Sequence, residues 1–175
     1  MGLTFNYNQD TQDRIGDIIG GLRVQTPVLS TLATYWTNPV TFAIFNVVGL
    51  IKIIAMYLEI TSALDANATT LVFRWTGTVP AVGIATMGVA SAGFGSAVAG
   101  TRITFLGPGT VLAGTEGVSY LPAPNFVGGQ TGAGVNATGV ISALIAGGTQ
   151  AGTASGRYVM HYAPMTEGAY VVSAI

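Results

Sequence analysis

The chain has 175 residues, enough for one domain with a sizeable core and too few for two ordinary ones. Charged residues make up only 7%, six basic and seven acidic, against about a quarter in a usual soluble domain. That leaves too few cations to neutralise a nucleic-acid footprint; the lack of cysteine removes disulfides and thiolate chemistry, and the single histidine, His161, removes any multi-histidine metal site.

Small neutral residues stand where charge is missing. There are 25 glycines and about as many threonines, no ionisable acid or base from Trp75 to Thr101, and only Glu116 from Ile103 to Gly156. Such a composition cannot build helices held by i,i+4 ion pairs, whereas Thr, Val, Ile, Tyr and Phe suit a pleated, half-buried surface. An almost neutral exterior also favours association, so much of the surface is expected to be covered by copies of the chain or by another protein.

Residues 1–38 read differently from the rest. Asp10, Asp13 and Asp17 recur at helical spacing, with Ile15, Ile18, Ile19 and Leu22 on the opposite side of the wheel, the pattern of a short amphipathic helix with acids near its positive end. Gly16, Gly20 and Gly21 weaken it by about 1 kcal/mol each relative to Ala, so it needs a surface to lie on. Thr26-Pro27 and Asn38-Pro39 then bracket a stretch carrying Tyr35 and Trp36, and proline restricts the residue before it to extended conformations. The segment is expected to be an N-terminal arm, 1–38, that either caps the chain's own core or reaches a neighbouring subunit. Its candidate contact residues are Ile15, Ile18, Ile19, Leu22, Tyr35 and Trp36.

The body, 39–175, reads as strands and turns. Val40 to Ser62 is apolar, but Lys52, Glu59, Asn46 and Gly49 interrupt it and many of its residues are β-branched. Two strands flanking Gly49 are expected rather than a membrane helix. Asp65 to Ala68 is a turn, and Thr70 to Val79 shows the clearest period-2 pattern, Leu71, Phe73 and Trp75 against Val72, Arg74 and Thr76. Arg102 to Leu106 and Thr110 to Ala113 flank a Gly107-Pro108-Gly109 turn. Val118 to Leu121, Val140 to Ala146, Arg157 to Ala163 and Ala169 to Ala174 complete the strands, with Gly/Thr/Ala loops at 128–139 and 147–156. About eight to ten short strands fit an all-β domain, a jelly-roll-like sandwich or barrel.

Chemistry-bearing motifs are sparse. Gly132 to Ala137 matches a loose G-x-G-x-x-A without the following helix or acid that dinucleotide binding requires. His161 sits in an alternating strand, where a packed or interfacial role is expected over a catalytic one. No cofactor, metal, nucleic acid or membrane is expected, and no secretory leader pattern is visible. Trp36 and Trp75 could form a sugar-stacking platform, the alternative of a carbohydrate-binding module.

Two stretches carry a resemblance. Ile44 to Ile53, continuing through Leu58-Glu59-Ile60-Thr61 and Ala66 to Leu71, resembles the opening hairpins of small β-rich capsid decoration, or cement, proteins of tailed bacteriophages. Arg157 to Ala169, an alternating strand with a proline turn and an acid-glycine pair, is similar to their closing pattern. The resemblance covers roughly residues 40–175 and implies a non-enzymatic protein on the outer surface of the virion head. It also implies a homotrimer that clamps subunits of the major capsid protein, while a tail, baseplate or head-fibre component is the alternative within phage structure. On this reading the loops and the N-terminal helix make the lattice contacts, and removal of residues 1–38 is expected to leave the sandwich folded.

Overall fold

The apolar run from Val40 to Ser62 divides at Gly49 into two strands that enter different sheets. Gly49 has φ +74°, and a Cβ there would meet Ala169 Cβ at 2.7 Å and Thr166 Oγ1 at 2.8 Å. Only glycine fits that crossing without strain. The computed structural model describes residues 21–30, 34–79, 81, 83–88, 90–105, 111–114, 125–128, 136–150 and 153–175. Among them are twelve strands: β1 (Leu22–Gln25), β2 (Leu29–Ser30), β3 (Val40–Val48), β4 (Ile51–Ser62), β5 (Thr69–Val79), β6 (Ala85–Thr86), β7 (Arg102–Phe105), β8 (Val111–Gly114), β9 (Asn125–Val127), β10 (Thr138–Gly147), β11 (Ser155–Pro164) and β12 (Tyr170–Ser173). A 3-10 turn, Thr34–Trp36, is the one helical element in the described residues.

All pairings between these strands are antiparallel. Seven strands form one sheet in the order β1-β11-β4-β7-β8, with β2 also on β11 and β9 also on β4; five form the other, β12-β3-β10-β5-β6. The chain is therefore all-β with two antiparallel sheets.

Alternation sets what lies between the sheets. Leu71 and Phe73 on β5, Ile141, Ala143 and Ile145 on β10, and Ile51, Ile53, Met56, Leu58 and Ile60 on β4 are all buried. The break in β4's alternation falls at Ile54, where the register on β11 shifts between His161 and Tyr162, so an extra residue re-aims the strand. Edge-on ring pairs bridge the sheets: Phe42 with Tyr158 at 5.9 Å, Phe73 with Phe105 at 5.8 Å and Phe73 with Tyr158 at 6.2 Å. This is a geometry aromatic pairs prefer. The Tyr162 hydroxyl accepts the Val171 N–H at 3.1 Å, tying β11 of one sheet to β12 of the other. Burial pushes the Tyr158 phenol above its ordinary pKa.

The stretch before Pro39 is built into this body. Leu22 and Val24 of β1 pack on the core while Arg23 and Gln25 face outward. Thr26 continues the ladder: its N–H donates to Tyr158 O, and its hydroxyl accepts the Tyr158 N–H, each at 3.0 Å. Leu29 and Trp36 are core residues, and the Trp36 indole N–H donates to Leu29 O at 3.0 Å. Packing argues against the expectation that removal of residues 1–38 leaves the sandwich folded, because the cut deletes the core side chains Leu29 and Trp36 and the strands β1 and β2 that pair with β11. Of the expected helix, residues 10–20 lie outside the described residues; Gly21 has φ +80° and Leu22 opens a strand. The expected strand at 118–121 and the turn at 107–109 also lie outside them.

One end of the sandwich is closed by Gln150. Its amide oxygen accepts the Asp65 N–H at 2.9 Å, and its amide NH2 donates to Asn67 O at 2.8 Å and Thr69 Oγ1 at 2.6 Å. Its backbone N–H donates to Trp36 O at 3.1 Å. The start of the 147–156 loop, read as Gly/Thr/Ala loop, is thereby pinned to the 65–69 turn and the Trp36 turn.

Candidate functional site

Because each strand of a sandwich presents alternate residues to solvent, the outer faces of the two sheets are the broad surfaces this fold offers. They differ in chemistry. The outer face of the seven-stranded sheet carries Arg23 on β1, Lys52 and Glu59 on β4, Arg102 on β7, and Arg157 and His161 on β11. Glu59 is the hub. Its carboxylate accepts Arg157 Nε at 2.7 Å and lies 3.5 Å from Arg102 Nη2, and the Arg102 guanidinium stands 5.1 Å from the centre of the Tyr57 ring. Burial alone would raise the Glu59 pKa; the hydrogen bond and charge of Arg157, joined by Arg102, outweigh it and hold the carboxyl below its usual value. Cross-strand register places Glu59 opposite both arginines, a proximity that residues 43 and 98 positions away acquire only on folding.

The outer face of the five-stranded sheet is almost without charge. On β5 the outward residues include Val72, Arg74 and Thr76; on β10, Val140, Ser142 and Leu144; on β12, Tyr170 and Val172. Arg74 is the one charged side chain among these strands' described residues. Its Nε is buried and has no hydrogen-bond partner, and the ion pairs among the described residues all belong to Glu59.

The residues expected as contacts fall as follows. Ile15, Ile18 and Ile19 lie outside the described residues. Leu22 pairs with Tyr162 and packs on the core; Tyr35 is half-buried, edge-on to Phe42 at 4.8 Å; Trp36 is only 3% exposed. The last three meet their own core. Trp36 and the half-buried Trp75, which packs on that core, do not present a shared aromatic platform to solvent. His161 is half-buried on the outer face of β11, opposite Arg23 and Ala55. Among the described residues no three His, Asp or Glu side chains gather to hold a metal ion, and no helix is long and apolar enough to cross a membrane.

Arg74 and the Glu59 cluster are the site features that motif reading passed over. Strand alternation gave the outward direction of Arg74, and register alone gave the cluster. No protein-family model, no curated protein and no solved structure matches the chain.

Proposed function

We propose that the chain is a non-enzymatic structural protein of a bacteriophage virion, a decoration protein that binds the outside of the head as a homotrimer and stabilises the lattice of the major capsid protein. The observation that carries this reading is the contrast between the two broad faces, one basic with a single hub carboxylate, the other nearly uncharged. Two broad, chemically distinct surfaces suit a part that joins two different neighbours. Binding the assembled lattice and not free subunits stabilises the shell by mass action, and several copies in one oligomer raise the effective concentration of each contact.

Strand order supports a jelly-roll reading of the sandwich. With β1, β3, β4, β5, β6, β7, β10 and β11 counted one to eight, the neighbours in one sheet are the first, eighth, third and sixth. In the other they are the second, seventh, fourth and fifth. That is the alternation of a double-sheet jelly roll, an architecture common in viral capsid domains and also in lectins.

Cryo-electron microscopy of native particles carrying the chain is the test. Density for the sandwich on the outer surface of the head, repeated about three-fold positions and touching the major capsid protein, is expected. Density in the tail or baseplate, or inside the shell, would overturn the reading.

A further inference from the structure

We propose that the outer face of the five-stranded sheet joins two copies of this chain, with Arg74 of one copy meeting Glu167 of the other. This names the surface for the self-association contained in the reading above and rests on that part alone.

Arg74 lies on β5 opposite Ser142 of β10 and Thr86 of β6. Its surroundings are hydroxyls and aliphatic side chains, and its buried Nε has no acceptor. A buried cationic N–H without a partner is unfavourable, and a carboxylate is the strongest remedy because it can receive the guanidinium fork. Among the described residues of its own copy no carboxylate stands beside Arg74, whose cross-strand neighbours are Ser142 and Thr86, so a second copy is the source proposed for one.

The complement is on the other flank of the same sheet. Met165, Tyr170, Val172 and Ile175 are 49%, 49%, 45% and 36% exposed, apolar side chains on β12 and in the segments before and after it. Glu167, in the turn that leads into β12, is exposed and makes no ion pair among the described residues. The described acids otherwise are Glu59, bound by two arginines, and Asp65, which accepts the Asn67 N–H at 2.9 Å. An apolar flank with one carboxylate therefore matches an apolar face with one guanidinium.

Within one copy the two groups cannot meet. Three strand spacings separate β12 from β5, about 14 Å, and register places Tyr170 level with Val48, Thr138 and Val79. Arg74 is five residues from Val79 along the strand, about 16 Å more. A two-fold axis at Arg74 itself would oppose two guanidiniums; an arrangement that brings one copy's Glu167 flank onto the next copy's Arg74 pairs opposite charges and covers both apolar areas.

The test is the solution mass of the full chain by light scattering across a concentration series. The variants are Arg74→Glu, Glu167→Arg and the double reversal, with Arg74→Gln and Glu167→Gln as milder forms should a reversal impair folding. The parent is expected to associate, each single reversal to weaken association by about tenfold or more, each milder variant to weaken it less, and the double reversal to restore it. A monomeric parent, single variants that associate like the parent, or a double variant that fails to recover would each overturn the proposal. No phage head enters this measurement, so its outcome is separate from the location of the chain on a particle.

Discussion

Replacing Gln150 by Ala removes three hydrogen bonds at a position only 3% exposed: those from the Asp65 N–H, to Asn67 O and to Thr69 Oγ1. Each such bond contributes about 1 kcal/mol net, and a buried partner left unsatisfied costs about 1–3 kcal/mol. Thr69 is fully buried; its hydroxyl loses the donor that it accepts from but still donates to Gly148 O, whereas the Asp65 N–H and Asn67 O lie nearer the surface, where water can partly replace the amide. The expected loss is therefore about 2–4 kcal/mol, which for a chain of this length lowers the melting midpoint by about 4–16 °C. Thermal unfolding followed by circular dichroism measures it, and faster amide exchange at Asp65 locates it. A Gln150→Ala midpoint within about 2 °C of the parent, below the smallest shift that this loss implies, would refute the view that this side chain closes the end of the sandwich.

Glu59→Gln should lower stability at neutral pH by about 1 kcal/mol, the worth of a partly exposed pair of modest reach. Since the folded-state pKa of Glu59 lies below its ordinary 4.5, the contribution is full above that value and disappears as pH falls through the folded pKa. Denaturant titrations of both proteins at stepped pH should converge in acid, and a constant gap would sink the assignment. A Cβ at position 139 would collide with the Trp75 indole, so Gly139→Ala should cost about 1–3 kcal/mol and shift tryptophan fluorescence; an unaltered spectrum and midpoint would argue against that packing. Trp36→Ala should cost about 3–5 kcal/mol, and a chain lacking residues 1–38 should lose cooperative unfolding altogether. A truncated chain that melts like the parent would show that Leu29 and Trp36 contribute nothing to the core.

Strands were legible where alternation is long, and also at the four-residue β7, β8 and β12, which overlap stretches read as strands from their apolar residues and flanking turns. Leu71, Phe73 and Trp75 against Val72, Arg74 and Thr76 foretold β5, and the alternating strand expected from Arg157 to Ala163 foretold β11. The shortest strands were not legible: β2 and β6 have two residues each and β9 three, too few for any period to register. At Leu22 two patterns compete. It ends a helical spacing of isoleucines and starts a strand alternation over Leu22-Arg23-Val24-Gln25, and pairing with Val159 to Tyr162 of β11 decides in favour of the strand. Gln150 gave no signal, because a lone glutamine in a Gly/Thr/Ala loop acquires its role only when the 65–69 turn folds against it.

The same physics explains why the candidate surfaces were half legible. The direction of a charge carried on a strand is decided by strand parity, so alternation around Arg74 already set it on the outer face of β5. What parity cannot supply is company. Glu59 meets Arg157 and Arg102 because antiparallel register aligns three strands drawn from separate parts of the chain, whereas the register that sets Ser142 and Thr86 beside Arg74 supplies hydroxyls and no acid. Two arginines on outer sheet faces thus have opposite fates, one neutralised inside the molecule and one left with a buried N–H lacking an acceptor. A surface otherwise stripped of charge has little reason to keep such a group for solubility alone, and charge-assisted pairing with a carboxylate on a neighbouring molecule gives it one.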